Sequence, residues 1–192
     1  MQISIIGAGF IGSTLGARLS AAGFEVTFGV RRPDETNLEV PTATVATVAE
    51  AIAAAEVLVL AIPGGAVADF VATHGLALEG KLIIDATNQM GAEVPNARAV
   101  LPAGVRYARA FNTLGGENFA DPTFDGAPAD LFFSAPGADE ATVAAVIAGV
   151  GLRPIFVGED REDLIDALFK LWIALALTQG RGRKLALRLL EG

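Results

Sequence analysis

The chain of 192 residues contains no cysteine. Disulfides, thiolate nucleophiles and cysteine-ligated zinc are excluded with it. Histidine occurs once, at His74, which argues against a histidine-rich metal site or a histidine–carboxylate triad. Positive charge is scarce. Fourteen Lys and Arg against 22 Asp and Glu leave a formal net charge of −8, a balance unsuited to general binding of a polyanion such as nucleic acid. The longest apolar run near the C-terminus, Leu171 to Leu177, falls far short of the ~20 residues that span a bilayer. Met1 to Ile6 carries no basic segment of the secretory kind. These absences lead to the expectation of a soluble, cytoplasmic protein with neither a nucleic-acid nor a membrane partner.

Apolar residues are plentiful. They make up 52% of the chain, while charged residues are only 19%, against ~45–50% and ~25% in ordinary soluble proteins. Disorder is excluded, and the core is large enough to bury elements on both faces. Short β-branched runs alternate with helical patterns. Ile3–Ile6, Glu25–Val30, Val57–Ile62, Leu82–Asp85 and Val105–Ala110 read as strands. Phe10–Ala22, Val45–Ala54 and Gly65–Thr73 read as helices. Leu131–Ser134 and Arg153–Val157 read as further strands around an Asp139–Val150 helix, and the chain turns helical from Arg161. This alternation predicts a Rossmann-type, doubly wound α/β fold with a mostly parallel sheet and a small helical C-terminal extension. The expected boundary places a nucleotide-binding domain at 1–158 and the extension at 159–192.

Gly7-Ala8-Gly9-Phe10-Ile11-Gly12 follows the first strand directly and opens the first helix. In that setting Gly7 permits the tight turn, Gly9 lets a pyrophosphate approach the backbone, and Gly12 lets helix and strand pack closely. The amides at the helix start, including those of Phe10 and Ile11, then face the anion. After the second strand the chain reads Val30-Arg31-Arg32-Pro33, where NAD-binding loops usually place a carboxylate. Two guanidinium groups suit a 2′-phosphate, so NADP(H) is the expected cofactor. The plainer alternative is a solvated pair balanced by Asp34 and Glu35.

Three further loops close strands at the end where open α/β sheets bind ligands. They are Ala61-Ile62-Pro63-Gly64-Gly65, Asp85-Ala86-Thr87-Asn88 and Ala110-Phe111-Asn112-Thr113. Caps and turns account for any one of these polar residues; together they mark the nicotinamide end of a site. His74 is read as a helix-end residue and Tyr107 as packing. Lys170 is read as the i,i+4 ion-pair partner of Asp166, with a buried proton donor as the alternative. No catalytic side chain is assigned. Such scarcity of acid–base groups suits hydride transfer to a conjugated ring, which needs alignment more than a proton donor.

Leu164, Ile165, Leu168, Leu171, Trp172, Leu175 and Ala176 form a broad apolar face, and Ile173, Ala174 and Leu177 leave little polar surface on the last two turns. The expectation is a buried helix, lying across its own domain or in a homodimer interface. Residues 1–177 carry a net −11 and residues 178–192 a net +3. That tail is read as an amphipathic helix with a solvated basic face, or as positive charge for a polyanionic substrate.

The chain resembles the deazaflavin (coenzyme F-420)-dependent NADP oxidoreductases and their bacterial relatives over nearly its whole length. The resemblance rests on Ile6–Gly12, Phe28–Arg32, Ala61–Pro63, Asp85–Asn88 and Ala110–Thr113, with Leu171-Trp172-Ile173 and Ala110–Thr113 more particular to the group. It implies hydride transfer between NADP(H) and a 5-deazaflavin co-substrate. It also implies Gly9, Phe10 and Ile11 at the pyrophosphate, Arg31 and Arg32 at the 2′-phosphate, and Ile62, Pro63, Ala110 and Asn112 around the nicotinamide. Where the family often has serine before the first arginine, this chain has Val30, which leaves the arginines to carry the phosphate. The rival readings are an NADPH-dependent reductase of another acceptor (a flavin, a metal chelate or a small molecule) and an NADPH-binding sensor without chemistry.

Overall fold

The computed structural model describes residues 1–40, 42–88, 97–190 and 192. The chain divides into two compact units, Met1–Ala108 and Arg109–Gly192.

The first unit is built on a six-stranded sheet. Its strands are β1 (Gln2–Ile6), β2 (Glu25–Val30), β3 (Thr44–Thr47), β4 (Val57–Leu60), β5 (Leu82–Asp85) and β6 (Arg106–Arg109). Their spatial order is β3-β2-β1-β4-β5-β6, and the pairings β3–β2, β2–β1, β1–β4 and β4–β5 are all parallel. The order runs outward from β1 in both directions, which makes the β1/β4 junction the switch point of a doubly wound sheet. Helices α1 (Phe10–Ala21), α2 (Val48–Ala54) and α3 (Val67–His74) connect the strands. The middle strands are apolar on both faces because both are covered: Ile3, Ile5, Val59 and Ile84 are wholly buried. The expected α/β fold is thus the observed one.

One local difference has an identifiable cause. Val45–Ala54, read as one helix, is an edge strand followed by a helix. Thr47 stops the strand: its Oγ1 accepts from the Glu50 amide, and Glu50 accepts in return from the Thr47 amide. This reciprocal cap starts α2 at Val48. Val45 stays in β3, paired with Phe28 of β2. The loop read as Ala86–Pro102 is described only outside residues 89–96.

The second unit contains α4 (Glu117–Ala120), a short hairpin of β7 (Thr123–Phe124) and β8 (Ala127–Pro128), and a parallel pair of β9 (Asp130–Phe133) and β10 (Arg153–Phe156). Helix α5 (Glu140–Val150) is the crossover between β9 and β10. These two strands form a sheet of their own rather than extending the main one. Phe119, Leu131, Val143 and Ile147 are buried at the centre. Helix α6 (Glu162–Ile173) runs on into a π-helical turn over Ala174–Thr178.

The C-terminal expectations need correction here. The helix is not buried all round: Ile165, Trp172 and Ala176 are covered, while Leu171 and Leu177 are exposed. Residues 179–190 are not helical. Gly180 and Gly182 adopt φ of +66° and +85°, which ends the helix and sends the tail away as an extended strap. Among the described residues no helix is long and apolar enough to cross a membrane.

Candidate functional site

In the first unit three strand ends converge on the glycine loop. The Gly7 amide donates to the Gly29 carbonyl of β2 at 3.1 Å, and the Ala61 amide beyond β4 donates to the Ile6 carbonyl of β1 at 2.9 Å. Gly7 holds φ of +106°, and a Cβ there would lie 2.6 Å from the Ala61 carbonyl oxygen. Only glycine fits both the dihedral and the space. A Cβ on Gly12 would meet the Gly7 oxygen at 2.1 Å, so the third glycine lets α1 start directly against the turn. Around Gly9 the space is open among the described residues: a Cβ would meet none of them within 4 Å. Phe10 is 62% exposed beside it, and Ile11 is half-buried. Gly9 caps α1 without a side chain. The first-turn amides therefore rely on a partner from outside the helix. Open backbone at a helix start, at the sheet's switch point, fits a dinucleotide pyrophosphate.

Arg31 and Arg32 are both exposed past the end of β2. Arg32 Nη1 donates to Glu35 Oε2 at 2.7 Å across a short 3₁₀ turn over Pro33–Glu35. With 74% and 65% of the two side chains exposed, the pair is weak and exchangeable. Arg32 reaches a phosphate only by leaving Glu35.

Ala61 and Ile62 are half-buried and Pro63 is exposed after β4, where Pro63 turns the chain into the 3₁₀ segment leading to α3. Asn88 is half-buried after β5. Asp85, at the end of β5, is wholly buried. Its carboxylate accepts from the Thr87 amide (2.8 Å), the Ala97 amide (3.2 Å) and the Tyr107 hydroxyl (2.7 Å). Asp85 thereby ties both flanks of the 88–96 segment to β6. Tyr107 packs, as expected, and its hydroxyl also serves this tie. His74 ends α3 and packs on Phe70, with ring centroids 5.4 Å apart.

In the second unit the 110–116 loop is a buried polar turn. Ala110, Phe111, Asn112 and Thr113 are each at most 2% exposed. Phe111 adopts φ of +69°, a conformation that costs a non-glycine residue ~1–3 kcal/mol and persists only where its surroundings impose it. Its ring meets Phe119 edge to face, with centroids 5.7 Å apart. Among the described residues the Thr113 hydroxyl has no hydrogen-bond partner.

Arg109 precedes this loop. Its guanidinium donates twice to Asp166 Oδ1 of α6, at 2.9 and 3.1 Å. Asp166 is therefore engaged by Arg109, and Lys170 is exposed. The reading of Lys170 as a buried proton donor is overturned. Neither the Arg109–Asp166 tie nor the Asp85 cradle was foreseen, because each joins residues far apart in sequence. A charged residue at a strand end between apolar neighbours was the signal available for both.

This fold and its glycine loop define a dinucleotide-binding domain of the Rossmann type. Residues 2–89 match the family described as NADP oxidoreductase, coenzyme F420-dependent, in line with the resemblance read from the sequence over that segment. No curated protein matches the chain. Among solved structures, a putative F420-dependent NADP reductase from Arthrobacter is 23% identical with a TM-score of 0.83, each chain covered in full. A hypothetical protein from Sinorhizobium meliloti is 26% identical with a TM-score of 0.73, over 100% of this chain and 96% of that one. An imine reductase from Streptomyces aurantiacus is 22% identical with a TM-score of 0.71, over 95% of this chain and 69% of that one.

Proposed function

We propose that the protein transfers a hydride between NADP(H) and a 5-deazaflavin coenzyme of the F-420 type. The observation that carries this reading is the glycine loop, open at Gly9 and placed at the switch point, within the segment that matches the family. Gly7 and Gly12 shape the loop, and Gly9, Phe10 and Ile11 offer backbone amides to the pyrophosphate. Arg31 and Arg32 take the 2′-phosphate, with Glu35 as the competitor that Arg32 must leave. Ala61, Ile62, Pro63, Asn88, Ala110 and Asn112 serve the nicotinamide end.

NADPH, when bound, supplies the hydride. The chain's own contribution is to bind, orient and exclude water, which turns a bimolecular encounter into an oriented one. No side chain is assigned as acid or base. The same reading takes 1–158 as the nucleotide-binding region and 159–192 as its extension. It also includes a cytoplasmic location and a homodimer through α6 and the turn that continues it, where Leu171 and Leu177 are exposed.

The test mixes the purified protein with NADPH and oxidised deazaflavin coenzyme and follows deazaflavin absorbance. Rapid bleaching with NADPH, at least tenfold slower with NADH, is expected. NADPH oxidation with an imine or free flavin but not with deazaflavin would transfer the assignment to that acceptor. Stoichiometric NADPH binding with no turnover on any acceptor would make the protein a sensor.

A further inference from the structure

The second unit holds a feature that the hydride-transfer reading does not use. The strap of residues 179–190 is fastened by side chains along its length. Arg183 makes a two-pronged ion pair with Glu117 at the start of α4, with contacts of 2.6 and 3.0 Å. Its guanidinium lies 5.5 Å from the centre of the Trp172 ring. Its backbone carbonyl accepts from Asn118 Nδ2 at 2.9 Å, and Asn118 is wholly buried. Trp172 Nε1 donates to the Leu185 carbonyl at 2.9 Å. Lys184 pairs with Asp121. Farther along, the Leu189 amide donates to Asp130 and its carbonyl accepts from Arg153.

Glu117 and Asn118 follow the 110–116 loop directly, and Arg109 precedes it. Asp166 of α6 therefore grips one end of the loop and Arg183 of the strap grips the other. Between those grips Phe111 holds its left-handed conformation, which local sequence does not favour. A loop in such a conformation needs both ends fixed.

We infer that Arg183 is a positioning residue: through Glu117 and Asn118 the C-terminal strap holds the 110–116 loop, with its buried Asn112 and Thr113, in the conformation that turnover requires. The inference rests on the proposed hydride transfer for its catalytic consequence but not for its structural one. The proposed function gives phosphate recognition to Gly9, Phe10, Ile11, Arg31 and Arg32, so the strap is expected to govern turnover rather than cofactor affinity.

The experiment compares full-length wild type with Arg183→Gln and Glu117→Gln, the second being the milder variant should the first fold poorly. Amide hydrogen exchange over residues 110–119 is measured alongside kcat, NADPH affinity and the emission of the sole tryptophan, Trp172. The expected result is about tenfold faster exchange over 110–119 and a kcat about tenfold lower, with NADPH affinity within twofold of wild type. The double variant should be no worse than either single one, because both remove the same contact. Trp172 emission should shift to the red in Arg183→Gln as the strap lifts. Unchanged exchange over the loop would overturn the inference, as would faster exchange with unchanged kcat. A wild-type protein that binds NADPH but turns over no acceptor would refute the proposed function, while the exchange result would still decide the role of the strap.

Discussion

The glycine loop of the first unit and the 110–116 loop of the second both turn the chain sharply at a strand's carboxyl end, and they do it by opposite means. At Gly7 the backbone has positive φ because nothing larger than hydrogen fits beside the Ala61 carbonyl. At Phe111 the backbone has positive φ although the residue disfavours it. There the conformation is imposed by an aromatic contact within the turn's own neighbourhood and by ion pairs reaching residues 166 and 183. The first turn is written into six consecutive residues. The second depends on partners more than fifty residues away.

The sharpest way to break this contrast is Gly12→Ala. A Cβ 2.1 Å from the Gly7 oxygen forces α1 off the turn, at a cost of ~3 kcal/mol or more. NADPH titration should then show affinity at least a hundredfold weaker. Asp166→Ala attacks the other loop. Arg109, whose side chain is only 7% exposed, would lose this carboxylate partner in a buried setting, and stability should fall by about 3 kcal/mol. Urea unfolding measures that loss, and NADPH affinity should stay within twofold.

Replacing Arg31 and Arg32 with alanine is expected to weaken NADPH binding about thirtyfold, or ~2 kcal/mol, in line with lost charge-assisted hydrogen bonds. NADH binding should be spared; equal losses for both cofactors would remove the phosphate assignment. Glu35→Gln is the opposite change. It releases Arg32 from an exposed pair, so NADPH should bind about two- to threefold tighter, the scale of such surface pairs.

The smallest effect is electrostatic. Arg183, by its hydrogen bond, holds the Glu117 carboxyl below its ordinary value. A carboxylate with a depressed folded-state pKa stabilises the fold above its unfolded pKa, and that contribution disappears as pH falls through the folded value. Protection of the 110–119 amides, with exchange taken relative to the intrinsic rate at each pH, should therefore fall in acid, and less so in Arg183→Gln. NMR titration of Glu117 checks the direction: it should titrate below ordinary glutamate in wild type and return toward it in the variant.

What could be read from the sequence follows the same division. The buried parallel strands, the glycine loop and α1 rest on runs of adjacent residues, and the family match over 2–89 lies in that part. Even there the Val45–Ala54 helix begins at Val48 instead, because a capping threonine and a helix-interior threonine look alike until Glu50 is seen to answer it. In the second unit the strands and the α5 crossover were legible from their periodicity. That β9 and β10 form a separate sheet was not, since pairing partners are not a local property. The strap reads as an amphipathic helix on Leu185-Ala186-Leu187 and Leu189-Leu190 beside its basic residues; Gly180 and Gly182 decide otherwise. Asp85 and Arg109 were charged residues among apolar neighbours, and only the fold reveals the amides and carboxylate that meet them.

The most direct test of the central claim is calorimetric titration of the purified protein with NADPH and, separately, with NADH. The account predicts one NADPH per chain, bound at least tenfold more tightly than NADH, with the preference abolished when Arg31 and Arg32 are both alanine. Equal affinity for the two cofactors, or a preference for NADPH that survives the double replacement, would contradict it.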